Sequence, residues 1–153
     1  MIRTESSLDS DKLDWSKSFM YSLHETYFLI EKRLEKTLSE CDGITFSQFL
    51  ILLPLHCTPQ ASQSHIADFL HLTEATVSRH ITGMEKDGFL LKKEAVGNRR
   101  KHVLSLTSKG EKVFKKAHGV IEKDLKEIFA VVEDRDRKKV SQIFQTLLEK
   151  LIV

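Results

Sequence analysis

The chain has 153 residues, of which 41% are hydrophobic and 30% charged, with only two prolines and six glycines. This length suits a single globular domain, and the scarcity of proline and glycine favours helices over a turn-rich β fold. Two cysteines exclude a disulfide framework, and no apolar run approaches the roughly 20 residues that cross a bilayer. The start of the chain lacks the basic and apolar segments of a signal peptide, so we expect a cytoplasmic protein.

The net charge is only +2, but the charges are unevenly distributed along the chain. Residues 62–110 carry eight Lys or Arg against five Asp or Glu, whereas residues 1–43 carry six against nine. The excess is densest at Lys92–Lys93 and Arg99–Lys101. A confined basic element on a nearly neutral protein suits contact with a polyanion such as nucleic acid.

The first half of the chain predicts a polar tail over residues 1–10 and then two helices. Apolar residues at steps of three and four predict a long amphipathic helix from Asp11 to about Glu40, which Gly43 ends. A second, buried helix is predicted over residues 46–56, with Thr45 and Gln48 forming a capping box and Pro54 near the end.

The middle of the chain predicts two short helices joined by a tight turn. Ser62 caps the third helix, Gln63 to His71, and Thr73 caps the fourth, Glu74 to Lys86. The predicted buried residues of the third helix are Ile66, Ala67, Phe69 and Leu70, and those of the fourth are Val77, Ile81 and Met84.

Two strands and two further helices complete the predicted order. The strands are residues 89–93 and 102–106, and the polar stretch Glu94 to Lys101 joins them as a hairpin. A long helix follows from Thr107 to about Val132, and the last helix begins at Glu133–Asp134. The predicted fold class is therefore mainly α with a small two- or three-stranded antiparallel β wing, a winged helix-turn-helix with long flanking helices.

The outward face of the fourth helix is the strongest functional signal. Small side chains let a helix approach base edges in the major groove, and an arginine can pair with guanine. We predict DNA contacts from this helix, from the start of the third helix, and from the hairpin, whose basic residues suit the minor groove. The candidates are Thr73, Glu74, Ala75, Thr76, Ser78, Arg79 and Thr82 on the fourth helix; Ser62, Gln63 and Ser64 on the third; and Asn98, Arg99, Arg100 and Lys101 in the hairpin.

Each of these features has an ordinary explanation when it is taken alone, either a water-facing helix or a solvated charged loop. Their succession along the chain favours DNA over these alternatives. A winged-helix module that binds protein and not DNA stays open as the alternative function. There is no glycine-rich phosphate loop, zinc-hydrolase motif or nucleophile elbow, so no catalytic residues are predicted and an enzyme is disfavoured.

The hairpin and the residues after it resemble the MarR family of bacterial winged-helix regulators, and the resemblance extends from about Asp11 onward. The family pattern Asp-x-Arg, about five residues, then Leu-Thr-x-x-Gly is matched from Asn98 to Gly110. Arg100 falls on the wing arginine, and Asn98 replaces the usual aspartate, so it lacks the charge that orients that arginine. Residues 84–90 resemble the family segment that ends the recognition helix.

The resemblance implies a two-fold dimer, with residues 11–43 and 111–153 as dimerisation helices around a winged helix-turn-helix at residues 44–110. It also implies a repressor on a pseudo-palindromic operator with half-sites about 10 bp apart. The apolar stripes of the outer helices could be dimer contacts or intramolecular core. The candidate dimer residues are Phe19, Leu23, Phe129, Phe144, Leu148 and Leu151.

Family members often release DNA on binding a small aromatic or lipophilic effector. Aromatic residues could line such a pocket here, but core packing explains each of them, so no ligand residues are assigned: Trp15, Phe19, Tyr27, Phe46, Phe49 and His56. Zinc-sensing relatives suggest a further set, but no His-x-x-x-His pair supports it, and neither metal nor cofactor is predicted: His24, Glu40, Cys41, His56 and His118. For Cys41 and Cys57, packing is favoured over redox sensing.

Overall fold

The computed structural model describes residues 14–40, 44–95 and 98–152, with no side-chain description for residues 95 and 98–101. Within these ranges the chain forms six α-helices, a 3₁₀ turn and three strands. The helices are α1 (Trp15–Ser39), α2 (Phe46–Cys57), α3 (Gln63–Leu70), α4 (Glu74–Lys86), α5 (Ser108–Ile128) and α6 (Asp134–Leu151); the 3₁₀ turn is Phe129–Val131; and the strands are β1 (Ala61–Ser62), β2 (Leu90–Ala95) and β3 (Asn98–Leu106). This order confirms the predicted fold class.

Four of the helices begin at a hydroxyl side chain that accepts a hydrogen bond from a backbone N–H of the first turn. Thr45, Ser62, Thr73 and Thr107 cap α2, α3, α4 and α5 in this way. Each cap satisfies one of the N–H groups that have no partner inside the helix. The predicted caps of α2, α3 and α4 are therefore confirmed, including the reciprocal bond of Gln48 at α2.

The three strands form an antiparallel sheet in the order β1–β3–β2. The strand β1 pairs Ala61 with Leu104 and Ser62 with Val103, so it ties the start of α3 to the hairpin. The hairpin itself is longer than predicted, because residues placed in the joining loop belong to β2 and β3. Val96 and Gly97, between the two strands, lie outside the described residues.

The core is formed by the second half of α1, the first part of α5 and the helices and strands that lie between them in sequence. The buried hydrophobic residues run from Leu34 in α1 to Ile121 in α5, and among the described residues no polar or charged residue is buried. The face of α4 predicted to be buried is confirmed, since Val77, Ile81 and Met84 are at most 2% exposed. Pro54 was predicted to lie near the end of the second helix, and α2 ends three residues after it, at Cys57.

Two predictions for α3 were wrong. Phe69 is 50% exposed, because a helix of only eight residues turns Ile66 and Ala67 inward and leaves Phe69 on its outer side. The helix also ends at Leu70, one residue early, because His71 adopts the left-handed conformation with φ 53°. Similarly, α5 ends at Ile128 and passes into the 3₁₀ turn before Val132. The first helix ends at Ser39. The tail at residues 1–10 and Gly43, which was predicted to end that helix, lie outside the described residues.

The two long helices α1 and α5 are joined by a polar cluster at their crossing. Arg33 donates to Asp124 and to Glu127, each at 2.9 Å, and the Thr37 hydroxyl donates to the second oxygen of Asp124 at 2.5 Å. The hydrogen bonds from Arg33 and Thr37 hold the pKa of the Asp124 carboxyl below its usual range. This cluster fixes the position of α5 against α1.

Candidate nucleic-acid interface

The helix pair α3–α4 is held by contacts between the starts of the two helices. The side-chain amide of Gln63, at the first position of α3, donates to the backbone carbonyl of Glu74, at the first position of α4, at 3.1 Å. The Thr73 hydroxyl accepts from the Thr76 N–H at 3.2 Å and also lies 3.0 Å from the Thr76 hydroxyl. The beginning of α4 is therefore fixed both by its own cap and by α3.

The face of α4 opposite the buried residues is open and carries small or polar side chains. Glu74, Ala75, Arg79 and Thr82 are exposed, and Ser78 is half-buried. Thr82 donates its hydroxyl to the Ser78 carbonyl at 3.0 Å, which turns that side chain back onto the helix. Because most of these side chains are short and only one is a long cationic side chain, the helix can approach base edges closely.

Arg79 is the one arginine of this helix, and it extends outward. Its guanidinium lies 3.5 Å from the Thr76 hydroxyl, at the limit of a hydrogen bond. Among the described residues, no carboxylate forms an ion pair with the Arg79 guanidinium. The guanidinium is thus available to an outside acceptor.

At the start of α3 the structure gives the three candidate residues local roles. The Ser62 hydroxyl accepts from the His65 N–H at 3.1 Å and lies 2.9 Å from the Ser64 hydroxyl. Gln63 makes the bond to Glu74 described above, which the sequence did not suggest. Ser64 is exposed, whereas Ser62 and Gln63 are half-buried, so Ser64 is the freest of the three to meet another molecule.

The hairpin contains an irregularity at its basic residues. Glu94 pairs with His102, but the next residue, Ala95, pairs with Asn98, so three residues of β3 are passed over. These three are Arg99, Arg100 and Lys101, which were predicted to sit in the joining loop and instead belong to a bulged strand. A bulge bends the strand and redirects its side chains, although the side chains of Asn98, Arg99, Arg100 and Lys101 lie outside the described part of the chain.

The histidines and cysteines considered for metal or redox sensing are dispersed. Within the described ranges no group of three or more His, Cys, Asp or Glu could hold a metal ion. His56 bonds to Glu111 at 3.2 Å and stacks on Phe114 with ring centroids 4.4 Å apart. Cys57 is free and exposed, and Cys41 lies outside the described residues. The hydrogen bond from His56 and that from Lys115 lower the pKa of Glu111.

The helix pair, the open face of α4 and the bulged hairpin together form a winged helix-turn-helix. Residues 44–102, which contain the helix pair and the hairpin as far as His102, match the family model described as the MarR family. Over this segment the chain is therefore similar to the MarR family. It is a DNA-binding transcriptional regulator, and the alternative of a winged helix that does not bind DNA is not supported.

Two relatives of the chain are described as HTH-type transcriptional regulators. The chain is 28% identical over 110 residues to the HTH-type transcriptional regulator BilQ of Clostridium symbiosum. That alignment covers 72% of this chain and 74% of BilQ. The chain is 25% identical over 135 residues to the uncharacterized HTH-type transcriptional regulator YwoH of Bacillus subtilis, covering 88% and 97%.

Solved structures agree with the fold. The ligand-free organohalide-sensing regulator RdhR-CbdbA1625 superposes with a TM-score of 0.84 at 17% identity, covering 99% of this chain and 89% of that one. Apo MarR from E. coli superposes with a TM-score of 0.72 at 17% identity, covering 89% and 98%. In the described part of the chain no helix is long and apolar enough to span a membrane.

Proposed function

We propose that the protein is a homodimeric repressor that binds a pseudo-palindromic operator, with α4 in the major groove and the β2–β3 hairpin at the adjacent minor groove. The observation that carries this proposal is the exposed Arg79 on the open face of α4, directly opposite Val77 and Ile81 in the core. A helix that buries one face this completely can present its other face to DNA without losing its packing. A two-fold dimer would place two such helices on half-sites about 10 bp apart.

The proposed base and phosphate contacts follow the open surface. On α4 they are made by Thr73, Glu74, Ala75, Thr76, Ser78, Arg79 and Thr82; at the start of α3 by Ser62, Gln63 and Ser64; and in the hairpin by Asn98, Arg99, Arg100 and Lys101. Arg79 is the residue proposed to read a base. Arg100, the counterpart of the wing arginine, is proposed to bind the minor groove without strong base preference.

The dimer is supported by α6, whose 18 residues are all described and include none that is buried. This helix nevertheless carries an apolar stripe, and no described residue of the same subunit buries it. The first half of α1 and the 3₁₀ turn add further exposed apolar side chains. The proposed contact residues are Phe19, Leu23, Phe129, Phe144, Leu148 and Leu151, of which Phe129, Phe144, Leu148 and Leu151 are 46%, 38%, 48% and 78% exposed.

MarR regulators bind DNA as dimers, so covering this stripe with a second copy agrees with the family. Two substitutions separate an interface from an ordinary surface. Leu148→Asp would place a charge on the apolar stripe of α6, whereas Arg135→Asp changes an exposed residue of the same helix beside Glu133. Size-exclusion chromatography with light scattering should show the wild type and R135D as dimers and L148D as a monomer. A dimeric L148D would remove the stripe from the interface.

DNA binding is tested by gel shift on the DNA upstream of the protein's own gene, at two salt concentrations. Binding should weaken steeply with salt, because phosphate contacts release counterions. Arg79→Ala should cost about 1–3 kcal/mol on the operator and relax base preference at one position of each half-site. Arg135→Ala, which removes an exposed arginine on α6, serves as the matched control. Equal losses of R79A on operator and random DNA would show that Arg79 touches only phosphate.

The repressor assignment has a separate test. A reporter driven by the promoter that contains the operator should become more active when the gene is deleted, and R79A should reproduce the deletion. Lower activity in the deletion would make the protein an activator. We propose that this regulation takes place in the cytoplasm, which fractionation checks, and through binding alone, without turnover of a substrate.

We further propose an aromatic or lipophilic effector that releases the DNA. A neighbour in fold, RdhR-CbdbA1625, is described as organohalide-sensing and has been solved in a form bound to 2,4-dichlorophenol. In this chain a groove of about 600 Å³ connects α1, α2 and α4, and its lining residues are Phe28, Glu31, Lys32, Glu35, Thr45, Ser47 and His80. Its size is that of a small-molecule pocket, and His80 is the neighbour of Arg79 on α4.

A dissociation assay with 2,4-dichlorophenol as the probe tests this groove. The compound should release the wild type from DNA, and Phe28→Ala should raise the concentration needed. Phe69→Ala, which removes an equally exposed ring outside the groove, should leave that concentration unchanged. If F28A and F69A respond alike, an effector binds elsewhere.

A further inference from the structure

The end of α4 and the start of α5 meet where side chains of residues 107 and 109 bond to backbone carbonyls 18 to 22 residues earlier in the sequence. The Thr107 hydroxyl donates to the Gly88 carbonyl at 2.6 Å and lies 3.2 Å from the Phe89 carbonyl, which also accepts from the Thr107 N–H at 3.1 Å. The same hydroxyl accepts from the Gly110 N–H at 2.9 Å. One side chain thus caps α5 and binds the backbone that leaves α4.

Lys109 and Gly110 complete this contact. The Lys109 ammonium donates to the Asp87 carbonyl at 2.7 Å and lies 4.8 Å from the centre of the Phe89 ring. A Cβ on Gly110 would lie 1.9 Å from the Phe89 carbonyl oxygen, so the backbone of α5 rests directly on the chain that follows α4. We call residues 87–89 with 107–110 the α4–α5 junction.

The junction fixes the direction of α4 relative to α5. The three carbonyls that follow α4, at Asp87, Gly88 and Phe89, all accept hydrogen bonds from residues at the start of α5. Gly88 makes the turn between them with φ +73°, a conformation that favours glycine. Further along, α5 is fixed to α1 by Asp124 and then leads to the apolar surfaces proposed for the dimer.

We propose that the α4–α5 junction is the positioning element that sets the separation and angle of the two recognition helices in the dimer, and so the half-site spacing that the protein accepts. Thr107 and Lys109 act through α4 and touch no DNA. This inference rests on the proposed dimer and DNA contacts. One added base pair moves a half-site by about 3.4 Å and turns it by about 35°. A rigid junction cannot follow such a change, whereas a loosened one can.

The test begins with an operator selected from random DNA by the wild-type protein, and with derivatives in which one central base pair is inserted or deleted. Dissociation constants are measured for the wild type, Thr107→Val, Thr107→Ser and Lys109→Met. The wild type should lose at least about tenfold in affinity on either derivative, the size of a single mismatched base pair. T107V, which keeps the shape but not the hydroxyl, should lose less than about threefold. T107S, which restores the hydroxyl, should behave as the wild type.

Spacing discrimination separates positioning from stability, because a merely destabilised protein loses affinity equally on all three DNAs. All variants are compared well below their unfolding temperatures, with circular dichroism as the check. K109M removes the ammonium group that donates to the Asp87 carbonyl and lies over the Phe89 ring, from an exposed position. If T107V fails to fold, an intermediate loss of spacing discrimination by K109M supports the inference. If T107V folds and still discriminates between the spacings as the wild type does, the inference is overturned but the proposed function is not. The same holds for K109M if T107V is unfolded. A wild type that enriches no operator overturns the proposed function and the inference together, and a wild type that ignores spacing overturns only the inference.

Discussion

Removing the Asp124 carboxylate should destabilise the protein measurably at neutral pH and progressively less in acid. In the wild type this side chain is 14% exposed and accepts from Arg33 at 2.9 Å and from Thr37 at 2.5 Å. Asp124→Ala deletes both bonds at the crossing of α1 and α5. Because Arg33 keeps its bond to Glu127 at 2.9 Å, the substitution leaves no isolated charge.

The size of the effect follows from the exposure of the partners. A hydrogen bond to a charged group contributes about 1.5–3 kcal/mol when shielded from water. The Arg33 side chain is 46% exposed, so solvent screening reduces the expected loss to about 1–2 kcal/mol. For a chain of this length such a loss lowers Tm by about 3–6 °C.

The pH dependence has a definite sign. Hydrogen bonds from Arg33 and Thr37 lower the pKa of Asp124 in the folded state, so the ionised carboxylate stabilises the fold above the unfolded pKa of about 3.9. That contribution is lost as the pH falls through the lower, folded pKa. The difference between the wild type and D124A should therefore be largest above about pH 5 and should shrink toward about pH 2.

Chemical unfolding at fixed protein concentration measures the difference, since a dimer's stability depends on concentration. Glu127→Ala is the matched control: it removes the other carboxylate bound to Arg33, but that side chain is 54% exposed. We expect less than about 0.5 kcal/mol from E127A. Equal losses from the two variants, or a D124A loss that is unchanged at pH 2.5, would refute the assignment of the stability to the Asp124 carboxylate.

Three further substitutions test the core, the cap and the turn of the winged helix by thermal or urea unfolding. Leu38→Ala, at a fully buried position, should cost about 2–5 kcal/mol, whereas Leu72→Ala, at a position 45% exposed, should stay within about 0.5 kcal/mol of the wild type. Thr73→Ala, which deletes the cap that accepts from the Thr76 N–H, should cost about 1 kcal/mol and also weaken DNA binding; a stable variant would show that α3 alone holds the start of α4. Gly88→Ala has open space around it but a φ of +73°, so it should cost about 1 kcal/mol from backbone strain, and no loss would mean that the turn relaxes.

The features that could be predicted from sequence are those with local causes. Ser62 and Thr73 cap helices because hydroxyl side chains accept from the N–H groups two or three positions later. Val77, Ile81 and Met84 recur at helical spacing, which identified the buried face of α4 and left the face with Arg79 open. Both inferences use interactions within a few residues, and the structure confirms both.

The features that were missed depend on contacts distant in sequence. The strand β1 has two residues, too few for a pattern, and exists because Ala61 meets Leu104. The bond from Gln63 to Glu74 and the bonds from Thr107 to residues 88 and 89 likewise need the tertiary fold. The Leu-Thr-x-x-Gly pattern matched Thr107 and Gly110, but it could not reveal that a side chain at residue 110 would collide with the Phe89 carbonyl.

Burial divides the chain into a part that packs around one shared core and a part whose apolar residues stay open. The core combines residues of the winged helix with Leu34 and Leu38 of α1 and the buried residues of α5, whereas the first half of α1 and all of α6 leave their apolar residues mostly open. The two parts are joined by α5, whose first half is buried in the winged helix and whose far end leads to the open surfaces. A protein that only needed to bind one DNA half-site would not require those open helices. Because the proposed dimer contacts Phe129, Phe144, Leu148 and Leu151 lie at or beyond the end of α5, a change in how two copies associate at these residues can reach α4 through α5 and its junction with α4. Subunit association and operator choice are then coupled through the same helix.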